Sequence, residues 1–165
     1  MANTTFKVWR GDKDSGEFQE FQTEVSDGMV VLDAVHQIQA ESANDLAVRW
    51  NCKAGKCGSC SAEINGMPKL MCMTRLSDFD LEEPVTIEPM RAFPPVKDLV
   101  ADVSDNYRVK QNIKPFKPRQ PDNEDGSWNM AQKDVERVQE FRKCIECFLC
   151  QDVCHVLRAH HKHDE

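Results

Sequence analysis

Hydrophobic and polar positions alternate along residues 4–9 (TTFKVW) and again along 18–25 (FQEFQTEV), with the polar, turn-forming stretch GDKDSGE between them. A period of two marks strands with one buried face, so the pattern predicts a hairpin. The period then changes. In residues 29–42 (MVVLDAVHQIQAES), Val31, Leu32, Val35 and Ile38 fall at i, i+1, i+4 and i+7, one face of a helix. Ser26 or Asp27 is available to cap its start. A short apolar piece, 46–48, follows. Residues 60–73 (CSAEINGMPKLMCM) set Asn65-Gly66 between two strand-like runs, a strong hairpin signal, and 85–88 (VTIE) supply one more strand.

Strand, strand, helix, then strands curling round the helix is the order of a β-grasp module. In residues 96–107 (VKDLVADVSDNY), Val96, Leu99, Val100, Val103 and Tyr107 share one side of an expected helix. Residues 111–128 (QNIKPFKPRQPDNEDGSW) hold three prolines and little apolar content, which reads as an extended linker. Residues 130–144 (MAQKDVERVQEFRKC) look helical again. The expected organisation is α+β: a first domain over 1–110, a linker over 111–128 and an α-helical part over 129–165. No internal repeat is visible.

Composition narrows the function classes. Residues 1–100 carry 10 basic and 16 acidic side chains and the whole chain has a net charge of −7. No basic stripe exists, which argues against nucleic acid. The longest apolar run, 29–32, is far too short to span a membrane. The opening MANTTFKVWRGDKD has no apolar signal region, which points to the cytosol. Thiols stay reduced there, so the eight cysteines are not read as disulfides. Four fall in 52–72 and four in 144–154, and such clustering points to metal ligation.

Cys52, Cys57, Cys60 and Cys72 give C-x4-C-x2-C-x11-C, whose first three members have plant-type [2Fe–2S] spacing. Ala54, Gly55, Gly58 and Ser59 are small enough for a loop that wraps a cluster and turns its N–H groups toward sulfur, and the glycines allow positive φ. Lys53 and Lys56 add positive charge. A two-residue Asn65-Gly66 turn sets Cys72 opposite Ser59, and a three-residue turn sets it opposite Cys60. Either register returns the fourth thiol beside the third. Spacing alone leaves a four-thiolate zinc site open.

Cys144, Cys147, Cys150 and Cys154 give C-x2-C-x2-C-x3-C. In this bacterial ferredoxin run the first three cysteines ligate one cluster and the fourth another. Both clusters then need ligands from elsewhere, and the chain has no further cysteine. A partner chain that completes the site is one alternative; the better fit is a continuation beyond Glu165 with at least three more cysteines. A zinc site is again the alternative.

Together, RWNCKAGKCGSCSAEINGMPKLMC, the Pro-rich linker and EFRKCIECFLCQDVCH resemble the iron–sulfur subunit of succinate dehydrogenase/fumarate reductase (respiratory complex II), most of all its actinobacterial members. The resemblance covers the whole chain. It implies a β-grasp [2Fe–2S] ferredoxin domain followed by the start of an α-helical ferredoxin domain. It implies Cys52, Cys57, Cys60 and Cys72 on [2Fe–2S], Cys144, Cys147 and Cys150 on [4Fe–4S], and Cys154 on [3Fe–4S]. It further implies an FAD-containing flavoprotein partner, membrane-anchor subunits, a quinone (menaquinone), a peripheral place on the cytoplasmic face of the membrane, and no substrate-converting site on this chain. Two departures stand out. Members of the family carry a second cysteine motif that is absent here, and His155 stands where many have proline after the fourth cysteine.

His155 is a candidate for the quinone's vicinity. His160, His161 and His163 read as a solvated tail rather than a metal tract, and His36 as a packed or half-exposed residue. Trp9, Trp50 and Trp128 are core or interface candidates. The competing functions are a soluble ferredoxin-like carrier that needs only the first cluster, and a zinc-stapled interaction protein.

Overall fold

The computed structural model describes residues 2–159, so His160, His161 and His163 lie outside the described residues. The chain forms two compact units, one from residues up to 103 together with those from 146 onward, the other from 104–145. These units divide the chain elsewhere than the sequence boundaries at 110 and 128. Residues 146–159 group with the first unit because they cover part of its sheet.

The first unit is α+β. Strands β1 (Ala2–Gly11) and β2 (Gly16–Val25) pair antiparallel as the expected hairpin, with Phe6 opposite Phe21 and Thr4 opposite Thr23. Alternation puts Thr4, Phe6, Val8, Phe21, Thr23 and Val25 inside. Strands β3 (Ser61–Ile64) and β4 (Met67–Leu70) form the second hairpin, and β5 (Val85–Glu88) lies between the two, parallel to β1 and antiparallel to β3. The sheet order is β2-β1-β5-β3-β4. Helix α1 (Val31–Glu41) buries Val31, Leu32, Ala34, Val35 and Ile38 in a core shared with Phe6, Val8, Ile64, Val85 and Ile87. This is the β-grasp arrangement that the element order predicted.

The start of α1 differs from expectation. Neither Ser26 nor Asp27 caps it. The incoming chain is held by backbone bonds with residues 74–76, Val31 N donating to Thr74 O and Leu76 N to Met29 O, so the helix begins only after Val30. Asp33 then reaches back, its Oδ2 accepting the Val30 N–H at 3.2 Å.

The helix expected over 96–107 does not form as such. In its place stand β6 (Pro95–Lys97), β7 (Val100–Ala101) and a later helix, α2 (Ser104–Gln111). Asp98 is the reason. It has φ 48°, the left-handed region that interrupts a helix. Its buried carboxylate accepts hydrogen bonds from Gly11 N (3.0 Å), Ala47 N (2.8 Å) and Arg10 Nε (3.1 Å). Three partners from two distant segments outweigh a local helical pattern.

Strand β3 is buried along its whole length. Ala62 and Ile64 face the core; Ser61 and Glu63 face the other way. That outer face is covered by residues 146–159, which carry α4 (Leu149–Asp152) and α5 (His155–Ala159).

The second unit holds α2, an extended Pro-rich stretch and α3 (Gln132–Val138). Arg119 pairs with Asp122, and Trp128 Nε1 donates to Arg119 O at 2.9 Å, which folds the linker on itself. The helix expected over 130–144 is split into α3 and a 3-10 turn, Phe141–Lys143. Neither piece buries a residue, and short helices without a packed face are marginal. Trp50 and Trp128 are each 49% exposed, so neither is a core residue. Among the described residues, no helix is long and apolar enough to cross a membrane.

Candidate functional site

The first four cysteines come together on the loop between α1 and β3 and the end of β4. Lys53 (φ 52°), Gly55 (63°) and Gly58 (69°) take left-handed conformations. These turns fold the loop so that Cys52 Sγ accepts the N–H groups of Ala54 (3.4 Å) and Lys56 (3.3 Å). Such N–H···S bonds stabilise thiolate charge.

The β3–β4 hairpin closes through a two-residue turn, with Ile64 opposite Met67. Asn65 (φ 49°) and Gly66 (φ 73°) both adopt the left-handed conformation that this turn requires. The pairing runs one step past the strands, Met71 N donating to Cys60 O at 3.0 Å. Cys72 N then donates to Cys60 Sγ at 3.5 Å. Of the two registers the sequence left open, the shorter turn is the one formed, and it sets the fourth thiol beside the third.

The thiols are not equivalent. Hydrogen bonds, that of the Ser59 side chain foremost, hold Cys57 down to about 6, while burial pushes Cys60 up to about 11. Cys57 therefore ionises readily, and Cys60 needs nearby positive charge, such as a metal centre supplies. All eight cysteines are free thiols. Four thiol donors, N–H groups aimed at sulfur and a loop of small residues fit a [2Fe–2S] centre. Lys53 leans on the Trp50 ring, with Nζ 5.2 Å from its centre, and Trp50 meets His36 edge-on at 4.8 Å. Among the described residues, no three His, Cys, Asp or Glu side chains stand together as around a single metal ion.

The second cysteine run is distributed between the units. Cys144 ends the 3-10 turn of the second unit and is exposed. Cys147, Cys150 and Cys154 belong to the first unit; Cys150 is exposed, and Cys147 and Cys154 are half-buried. His155 opens α5 and is exposed. Glu146 (φ 54°) and Phe148 (φ 60°), on either side of Cys147, are both left-handed.

The two cysteine segments touch in the first unit. A Cβ added to Gly58 would lie 2.6 Å from Cys147 Cα, closer than real atoms approach. Ser61 Oγ lies 2.8 Å from Gly58 O and 2.9 Å from Cys147 O, so its one hydroxyl proton serves the joint between them.

Beside this joint is a charged cluster absent from the sequence reading. Glu63 and Asp152 are each 0% exposed. Arg158 Nη2 donates to Glu63 Oε1 at 2.5 Å and its Nε to Asp152 O at 2.5 Å; Arg91 Nε lies 3.2 Å from Glu63 Oε2. Asp152 Oδ1 accepts the Ala92 N–H at 2.9 Å. The one signal in the sequence is a lone glutamate in the otherwise small and apolar run CSAEI, an unusual residue for a strand next to a ligand loop.

The family described as "2Fe-2S iron-sulfur cluster binding domain" matches residues 5–108. The chain is similar to a fumarate reductase iron-sulfur subunit of Mycobacterium tuberculosis (strain CDC 1551 / Oshkosh), with 38% identity over 84% of this chain and 57% of that protein. It is also similar to a succinate dehydrogenase iron-sulfur subunit of Paracoccus denitrificans, with 30% identity over 90% of this chain and 58% of that one. Among solved structures, a chain of the "Mycobacterium smegmatis Sdh1 complex in the apo form" matches with a TM-score of 0.89 and 59% identity, covering 96% of this chain and 66% of that one. The chain thus spans a little over half the length of these two curated relatives.

Proposed function

Because the chain belongs to the 2Fe-2S iron-sulfur cluster binding domain family, we propose that it acts in the electron-transfer subunit of a succinate dehydrogenase/fumarate reductase. Cys52, Cys57, Cys60 and Cys72 hold [2Fe–2S] in this reading. Cys144, Cys147 and Cys150 give three ligands of a [4Fe–4S] centre, and Cys154 gives one of a [3Fe–4S] centre, the remaining ligands coming from outside the 144–154 run. Bound clusters of this kind supply one-electron storage and transfer.

The observation that carries the reading is the joint at Gly58. It brings the first cysteine loop and the backbone of Cys147 into contact within one unit. Electron transfer needs short separations, and a carrier with a single cluster has no use for a second cysteine segment packed there. The chain's own residues hold the thiols, aim the N–H groups of Ala54, Lys56 and Cys72 at sulfur, and bury Cys60 and Cys72. Hydrogen bonding and burial are the levers by which a protein sets such a centre's potential.

The partners in this reading are a flavoprotein carrying FAD, where the dicarboxylate reacts, and membrane-anchor subunits with a quinone, menaquinone by the chain's resemblance. The subunit sits peripherally on the cytoplasmic face of the membrane. His155, exposed beside Cys154, faces the quinone's vicinity in this proposal.

Iron and sulfide analysis with low-temperature EPR of the purified native assembly tests the proposal. The expected outcome is a [3Fe–4S] signal when oxidised and a [2Fe–2S] signal when reduced, the latter lost in Cys57→Ser. A colourless, zinc-loaded protein overturns every redox reading. Only a [2Fe–2S] signal in the full native protein overturns this one in favour of a single-cluster carrier.

A further inference from the structure

Strand β3 carries two polar residues on a face that is nonetheless buried. Ser61 reaches the Gly58–Cys147 joint, and Glu63 meets Arg158 and Arg91. Asp152 lies between Cys150 and Cys154 in sequence, and its carboxylate accepts the N–H of Ala92, on the segment following β5. Arg158 ties the pieces together: its guanidinium binds the Glu63 carboxylate and the Asp152 carbonyl, and stands 3.9 Å from Asp152 Oδ2.

Stability does not explain such a cluster. Burying ions is expensive, and well-packed apolar residues of similar volume are often as stable or more so. What charged, directional contacts add is a single allowed fit. An apolar cover over β3 could slide or rotate; Arg158 meets its acceptors in one register only. That register places the Cys147 backbone against Gly58, in the loop that carries Cys52, Cys57 and Cys60.

We propose that Arg158, acting with Glu63 and Asp152, is a positioning residue that fixes the separation between the metal site of the first cysteine loop and the site built on Cys147 and Cys150. The inference rests on the electron-transfer reading above. The contacts of Arg158 with Glu63 and Asp152 lie within one folded unit of this chain. Electron tunnelling weakens exponentially with distance, so a clamp that removes a small displacement acts directly on the rate.

The test uses the native assembly carrying Arg158→Met, Arg158→Lys or Glu63→Gln. Two measurements are made on each: the relaxation enhancement of the reduced [2Fe–2S] EPR signal by the neighbouring reduced cluster, and hydrogen exchange at the Ala92 amide. In Arg158→Met the enhancement is expected to be lost while iron content stays at the wild-type value, and Ala92 exchange to rise about tenfold or more as the Asp152 carboxylate that accepts its N–H loses the guanidinium beside it. Arg158→Lys is expected to restore part of both. Glu63→Gln keeps the shape of the site and serves where Arg158→Met fails to assemble; it is expected to lower the enhancement.

Unchanged enhancement in the assembled variants, whether or not Ala92 exchange rises, overturns the positioning role and leaves the electron-transfer reading standing. Absence of any iron–sulfur signal in the unsubstituted assembly overturns that reading, and the positioning role falls with it.

Discussion

At Gly58 there is room for a hydrogen atom and nothing more. Its φ of 69° and the Cys147 Cα that an added Cβ would meet at 2.6 Å make two separate demands for glycine. Gly58→Ala is expected to destabilise the chain by about 1–3 kcal/mol through backbone strain and overpacking. A urea melt checks the loss, and the EPR line shape checks whether Cys147 has been displaced. Asp98 teaches the complementary lesson. Its neighbours Val96, Leu99, Val100, Val103 and Tyr107 carry a helical spacing, yet Asp98 binds Gly11, Ala47 and Arg10 and ends the pattern. Nothing local announces those partners, because they lie in β1 and after α1.

Elements whose signal is local were legible in the sequence. The β1–β2 hairpin follows from alternation, and β3–β4 from Asn65-Gly66, whose left-handed pair a two-residue turn demands. Asn65 does more than turn the chain: its Oδ1 accepts the Thr86 N–H at 2.7 Å, fastening the hairpin to β5. Asn65→Ala is expected to cost about 1–2 kcal/mol, the value of a lost hydrogen bond plus left-handed strain. Thermal unfolding checks it, with Thr86 amide exchange rising in parallel. The two cysteine spacings were equally plain, and the structure sets Gly58, in the loop of the first, against Cys147 of the second. The cover over β3 was not legible, since Glu63 and Arg158 stand 95 positions apart and nothing in the spacing of either links them.

For the whole molecule, the buried Glu63 gives stability a dependence on pH. Burial first, then the charge of Asp152, pushes Glu63 up to about 7 from 4.5, against the pull of Arg91 and Arg158. The folded state thus favours protonated Glu63 more than the unfolded chain does. Its contribution is full below pH about 4.5 and is lost as pH rises through about 7. Glu63→Gln removes that titration, so the fall in unfolding free energy between pH 4.5 and 7 is expected to flatten relative to the wild type. Denaturant titrations at several pH values across the window check it; an unchanged slope would mean that the guanidiniums keep Glu63 ionised throughout.

The polar outer face of β3 also bears on the order in which the protein matures. Synthesis completes β1 to β5 and α1 before residues 146–159 emerge, and during that interval one side of β3 waits uncovered. What it then shows to water is Ser61 and Glu63. A nascent sheet presenting a hydroxyl and a carboxylate is a poor surface for self-association, whereas an apolar one invites aggregation. The same two side chains later receive Cys147 and Arg158, so one polar face suits β3 both before and after it is covered.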